Sequence, residues 1–95
     1  MSETLGLLAE ARQIARDLGY RVREEPLGDL PGGACVLAGV THVLLNLGHP
    51  ASERLDLLLR SIATDPRLAA EPKSLLLESR LRSLRPVSSP DQDGR

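Results

Sequence analysis

Ninety-five residues with a formal net charge of −1, 41% hydrophobic content and neither Phe nor Trp are enough for one domain and too few for two. With Tyr20 the sole aromatic side chain and no net positive field, the stacking platform and the phosphate attraction of a nucleic-acid binder are both missing, so no nucleic-acid partner is expected. No apolar run nears the ~20 residues that span a bilayer, no signal peptide is legible, and Cys35 alone cannot form an internal disulfide.

These features lead to the expectation of a cytoplasmic protein without membrane contact. Arg outnumbers Lys eleven to one, the usage of a GC-rich bacterial genome. The core has to be built from Leu, Val, Ile and Ala.

Residues 3–18 have the spacing of an amphipathic helix. Leu7, Leu8, Ala11, Ile14, Ala15 and Leu18 share one face, and Glu10, Arg12, Gln13, Arg16 and Asp17 the other. Ser2 is the expected N-cap, and Gly19 sits where a left-handed C-cap is wanted. Tyr20–Glu24 alternates apolar and charged residues, the period of a strand with one buried face. Pro26 ends it, and Leu27–Gly33 is loop chemistry. Ala34–Ala38 and Thr41–Leu47 then form a hairpin around Gly39, with Val43, Leu45 and Leu47 on one face. Two registers remain open. The one that turns at Ala38-Gly39 sets Cys35 opposite His42. Gly48-His49-Pro50 opens a second helix whose buried stripe is Leu55, Leu58, Leu59 and Ile62, closed by Asp65-Pro66. A third helix is expected from about Pro72 to Leu84, with a turn at Arg67–Ala70 before it. The organisation expected is a single domain over 1–85 and a disordered tail over 86–95, where apolar residues are too few to order the chain. The fold class is α+β: helix, small three-stranded antiparallel sheet, helix, and a C-terminal helix.

The segments ARQIARDLGYRVREEPL, GGACVLAGVTHVLLN and PASERLDLLL resemble the N-terminal half of the ImmA/IrrE-type zincin-like metallopeptidases, over roughly residues 8–65. In that family a Glu-Arg-containing segment starts the helix that bears His-Glu-x-x-His. With Glu53-Arg54 aligned to it, Ser61, Ile62 and Asp65 fall where the two histidines and the glutamate should be. Such a set cannot hold and activate a zinc-bound water. The resemblance therefore implies a shortened, inactive scaffold, to which none of the family's catalytic residues carries over.

Other chemistry is sparse. Cys35, His42 and His49 are the soft or borderline metal ligands, but His49 lies about 20 Å from His42 along an extended strand. A buried small thiol with two surface or capping histidines is the plainer reading. Gly32-Gly33 and Gly39 have no phosphate-loop spacing, and Glu24-Glu25 reads as a solvated strand end. No catalytic residue, metal ligand set or cofactor is assigned. The apolar excess is more informative: Leu75, Leu76 and Leu77 sweep about 200° of a helix at 100° steps, more than one core needs. The expectation is a non-catalytic accessory or interaction protein, a homodimer or a subunit of an assembly. It would dock a protein partner through Leu77, Leu81 and Leu84, with Arg80, Arg82 and Arg85 at the rim. The alternative is a metal- or thiol-dependent enzyme or sensor built on Cys35 and His42.

Overall fold

In a computed structural model, which describes residues 3–84, the chain runs α1 (Glu3–Asp17), β1 (Arg21–Glu25), β2 (Gly33–Leu37), β3 (Val40–Asn46), α2 (Ala51–Ala63), a 3-10 turn (Pro66–Ala70) and α3 (Leu75–Ser83). This is the α+β class read from the sequence. Ser2, Arg85 and the expected tail over 86–95 lie outside the described residues.

α1 buries Leu7, Leu8, Ala11, Ile14 and Ala15, the stripe its periodicity demands. Its end is a Schellman motif. Gly19, at φ +92°, donates to the Arg16 carbonyl, and the Tyr20 N–H reaches back to the Ala15 carbonyl, both at 2.9 Å. The motif delivers Tyr20 into the core directly before β1 begins.

The sheet differs from expectation in one respect. Its order is β1-β3-β2, with β2 antiparallel to β3 but β1 parallel to β3, so it is mixed, not wholly antiparallel. The hairpin partner folds back into the gap between β1 and β2. β3 carries the apolar mass, with Val43 and Leu45 buried, and the central position covers it from both sides. β2 is Gly-Ala-Cys-Val-Leu, has little to bury, and takes the edge. The turn falls at Ala38-Gly39, with φ +52° and +82°, the double positive φ of a type I′ hairpin turn. This settles the register, and Cys35 lies opposite His42. Leu47 does not join Val43 and Leu45 on the buried face. β3 ends at Asn46, and Leu47 is exposed as the chain turns toward α2.

Asn46 organises that turn. Its Oδ1 accepts from the Leu27 and Gly48 N–H groups at 3.1 and 2.8 Å, and its Nδ2 donates to the Gly28 and Leu30 carbonyls at 3.0 and 2.8 Å. A buried amide that satisfies four backbone groups replaces the ladder partners a loop lacks. The same loop needs Gly32. At φ +78° a Cβ there would stand 2.6 Å from the Leu44 carbonyl oxygen.

α2 begins after Pro50, which occupies the N-cap, and buries Leu55, Leu58, Leu59 and Ile62. α3 is shorter than its expected span of Pro72 to Leu84, because Ser74 is its N-cap. The Ser74 hydroxyl accepts from the Leu77 N–H at 3.1 Å. The hydroxyl and the N–H of Ser74 also donate to the two Glu10 oxygens at 2.7 and 2.8 Å, which fastens α3 to α1. Leu8, Ile14, Leu18, Val43, Leu45, Leu58 and Ile62 all belong to one buried cluster.

Candidate functional site

α1 and α2 pack on one face of the sheet, and the opposite face is open. Strand alternation places Arg21 and Arg23 of β1, His42 and Leu44 of β3, and Gly33, Cys35 and Leu37 of β2 on that open face. Arg21, His42 and Cys35 are in register across the three strands. Because Gly33 has no side chain, an apolar hollow of about 360 Å³ opens between Cys35, Leu37, His42 and Leu44. A second hollow of about 410 Å³ is lined by Arg16, Tyr20, Arg21, Val22, Arg23 and His42. Here, then, the structure brings together two of the three candidate ligands, Cys35 and His42. Cys35 is exposed, not buried as the plainer reading of the sequence had it.

His49 is elsewhere. Its Nδ1 lies 3.8 Å from Glu53 and its carbonyl accepts from Arg54 Nε at 3.2 Å, so it belongs to the entry of α2. Among the described residues no group of three or more His, Cys, Asp or Glu could hold a metal ion. The residues that line the hollow with Cys35 and His42 are arginines, glycine and aliphatic side chains, which supply neither a further anionic ligand nor a base.

The positions that align with the zincin helix are absorbed into structure. Ser61 Oγ donates to the Leu57 carbonyl at 2.9 Å, and Ile62 is fully buried. Asp65 lies beyond the end of α2 and caps the 3-10 turn. Its Oδ1 accepts from the backbone N–H and Nε of Arg67 at 2.9 and 3.0 Å, and its Oδ2 from Arg67 Nη2 at 2.7 Å and the Tyr20 hydroxyl at 3.1 Å. These donors, Arg67 foremost, hold the Asp65 carboxyl well below the usual carboxylate range. The Tyr20 phenol is pushed up, first by burial and then by its bond to Asp65.

Glu24 corrects the sequence reading most clearly. It is not a solvated strand end. It shares the helix-covered face with Val22, and its carboxylate bridges Arg12 of α1 at 3.1 Å and Arg54 of α2 at 3.0 Å. The signal was present in the alternation itself, since Tyr20, Val22 and Glu24 have one parity. Glu25, by contrast, pairs with Arg23 on the open side.

The residues of the docking surface expected on α3 divide between the chain's own core and its surface. Leu77 is fully buried in the chain's own core, and Leu81 and Leu84 pack against that core half-buried. Arg80 is not a free rim cation but binds Asp56 of α2 at 3.0 Å. Lys73 caps the Leu68 and Glu71 carbonyls at 2.8 and 2.6 Å. Arg82 is exposed, as are Leu75 and Leu76. The leucine triplet therefore splits, with one residue inward and two outward.

Among the described residues nothing pairs with the outer edge of β2, a surface that sequence reasoning missed. The two strands at the rims of this sheet are built differently. β1 is Arg-Val-Arg-Glu-Glu and is followed by Pro26, the charge and proline that protect an edge. β2 contains no charge and no proline, and its Val36 and Leu37 are 64% and 59% exposed. No helix among the described residues is long and apolar enough to cross a membrane. No family model, curated protein or solved structure matches the chain.

Proposed function

We propose that this protein is a non-catalytic interaction module of the cytoplasm that binds a protein partner or a second copy of itself through the free edge of β2. The unprotected edge, with Val36 and Leu37 exposed on either face of it, carries the reading. An apolar strand that offers unpaired N–H and C=O groups is the ordinary substrate of strand addition, where backbone bonds give affinity and alternate side chains give specificity. The fate of the reactive groups supports the same conclusion. Glu24, Asp56, Asp65 and Glu10 are each engaged by a partner within the chain, which supports a structural and not a catalytic use of these four carboxylates. A single unpaired cysteine suits a reducing compartment. The resemblance to zincin-like peptidases supports a degenerate scaffold put to another use.

The juxtaposition of Cys35 and His42 favours a second reading, a metal- or thiol-dependent enzyme or sensor. Elemental analysis and hydrolysis assays decide between them. The interaction reading expects no stoichiometric zinc or iron and no turnover of peptide or ester substrates with either metal added. Turnover that disappears in Cys35→Ser or His42→Ala would overturn it.

A further inference from the structure

We infer that the β2 edge is completed by a second copy of this chain, with the two β2 strands antiparallel about a two-fold axis at Cys35, joining the two sheets into one of six strands. This rests on the interaction reading above and names its partner.

The hairpin geometry determines which backbone groups are free. A two-residue turn at Ala38-Gly39 makes Leu37 and Val40 a hydrogen-bonded pair. Antiparallel pairs alternate, so Cys35–His42 and Gly33–Leu44 are hydrogen-bonded as well. Leu37, Cys35 and Gly33 thus spend both backbone groups on β3, while Ala34 and Val36 turn theirs outward. A two-fold axis at Cys35 sets Ala34 opposite Val36 of the second copy, and Val36 opposite its Ala34. Both outward residues of each strand are satisfied at once. Centring the axis on Ala34 or on Val36 instead pairs one of them with Gly32 or Ala38, both outside β2.

The side chains are complementary in the same register. Leu37 comes to lie opposite Gly33 of the other copy, above which there is open space: nothing stands within 4 Å of a Cβ built there. That is the floor of the apolar hollow beside Cys35 and Leu44. On the helix-covered face Val36 meets Ala34. Each large exposed residue is matched to a small one, the interdigitation that close packing asks for. No charge opposes a like charge at the joint, because β2 has none, and His42 is separated from its copy by three strand spacings, about 14 Å. An isologous contact of this kind also closes, so it makes dimers and no fibre.

The two Cys35 residues form a non-hydrogen-bonded pair on the axis, the arrangement with the closest Cα approach, about 4.5 Å, and within the range that a disulfide spans. This gives a readout of register. Sedimentation equilibrium in reductant, from micromolar to millimolar protein, should show a monomer–dimer equilibrium, weak because the contact is small. Oxidised glutathione should then link the wild type through Cys35. In a Cys35→Ser background, Ala34→Cys and Val36→Cys should each link poorly alone and well when mixed, since each faces the other across the axis. Val36→Lys should abolish dimer and cross-link while circular dichroism and melting stay those of the parent.

A dimer indifferent to Val36→Lys, or one in which the Ala34→Cys and Val36→Cys proteins link as well alone as together, overturns the register. A wild type that is monomeric throughout overturns self-pairing. In that case amide exchange at Ala34 and Val36 identifies what remains. Slow exchange in the monomer shows that this chain covers its own edge and overturns the interaction reading as well, whereas fast exchange leaves the edge open to a different protein, so the interaction reading survives. Metal-dependent turnover would sink that reading and leave the dimer standing.

Discussion

Glu24 is the residue whose removal tests the packing scheme most sharply, because it ties three elements together through one carboxylate. The Glu24, Arg54 and Arg12 side chains are 17%, 16% and 32% exposed. Glu24→Gln keeps the shape but leaves two guanidinium groups facing a neutral amide. Breaking a fully buried pair costs about 3–5 kcal/mol, and exposed pairs are worth about 0–1 kcal/mol. Since this cluster is largely but not wholly buried, a loss of about 1–3 kcal/mol is expected. For a domain of this size that corresponds to a melting temperature roughly 5–20 °C lower.

Thermal melts by circular dichroism, with urea titration to check that the slope is unchanged, give the value. A double-mutant cycle with Arg54→Gln should return a coupling energy of about 1 kcal/mol or more. The companion variant Arg12→Met, Glu24→Leu, Arg54→Met should recover most of the parent's stability, because replacing a buried ionic cluster by apolar residues removes its desolvation cost. If Glu24→Gln melts with the parent, Glu24 is solvated in the working protein and β1 does not lie under α1 and α2 as described.

Three further outcomes are expected. Leu45→Ala and Leu58→Ala, at fully buried positions, should each cost about 2–5 kcal/mol, and an unchanged denaturation midpoint for both would mean the inward faces are wrong. Gly32→Ala should be destabilised by more than the ~1–2 kcal/mol of a left-handed alanine alone, because its Cβ meets the backbone oxygen of Leu44, whereas Ala38→Gly should be neutral or stabilising; equal melts for the two would refute that contact. The single phenol, followed by its phenolate absorbance, should titrate above the ordinary tyrosine value, and Asp65→Asn should bring it part of the way back, burial being the larger cause. A raised phenol pKa gives stability that is present below the unfolded phenol's pKa and lost as pH rises through the folded one. The depressed Asp65 carboxyl gives stability present above the unfolded carboxylate pKa and lost as pH falls toward the folded one. A phenol midpoint at the ordinary value in the folded protein would refute the Tyr20–Asp65 contact.

Local periodicity and end chemistry determined much of this molecule. The stripe Leu7, Leu8, Ala11, Ile14, Ala15 on α1, its termination at Gly19, the α2 stripe and the inward pair Val43 and Leu45 all follow from residues a few positions apart. Interactions at that range are written in the chain, and the α+β class follows from them. The order of strands is not local. Nothing within β1 says that β3, and not β2, will lie beside it. That choice follows from which strand has apolar mass to cover, and it converts an expected antiparallel sheet into a mixed one. The same holds for partners distant in sequence. Glu10 reads as a solvent-facing residue until Ser74 arrives from α3, and Glu24 as a strand end until Arg12 and Arg54 close over it.

The site follows the same division. The sequence alone shows that α2 carries no His-Glu-x-x-His pair, because both histidines, His42 and His49, precede it. It could not show which of Leu75, Leu76 and Leu77 would be covered, since a 100° step between residues leaves the choice of inward face to whatever helix packs against them. α3 packs against the α1–α2 core through Leu77 and pairs Arg80 with Asp56, so two of the residues expected at a docking face also hold this chain together. The open edge of β2 became visible only with the strand order, because an edge is a property of a sheet's arrangement and not of the residues that form it.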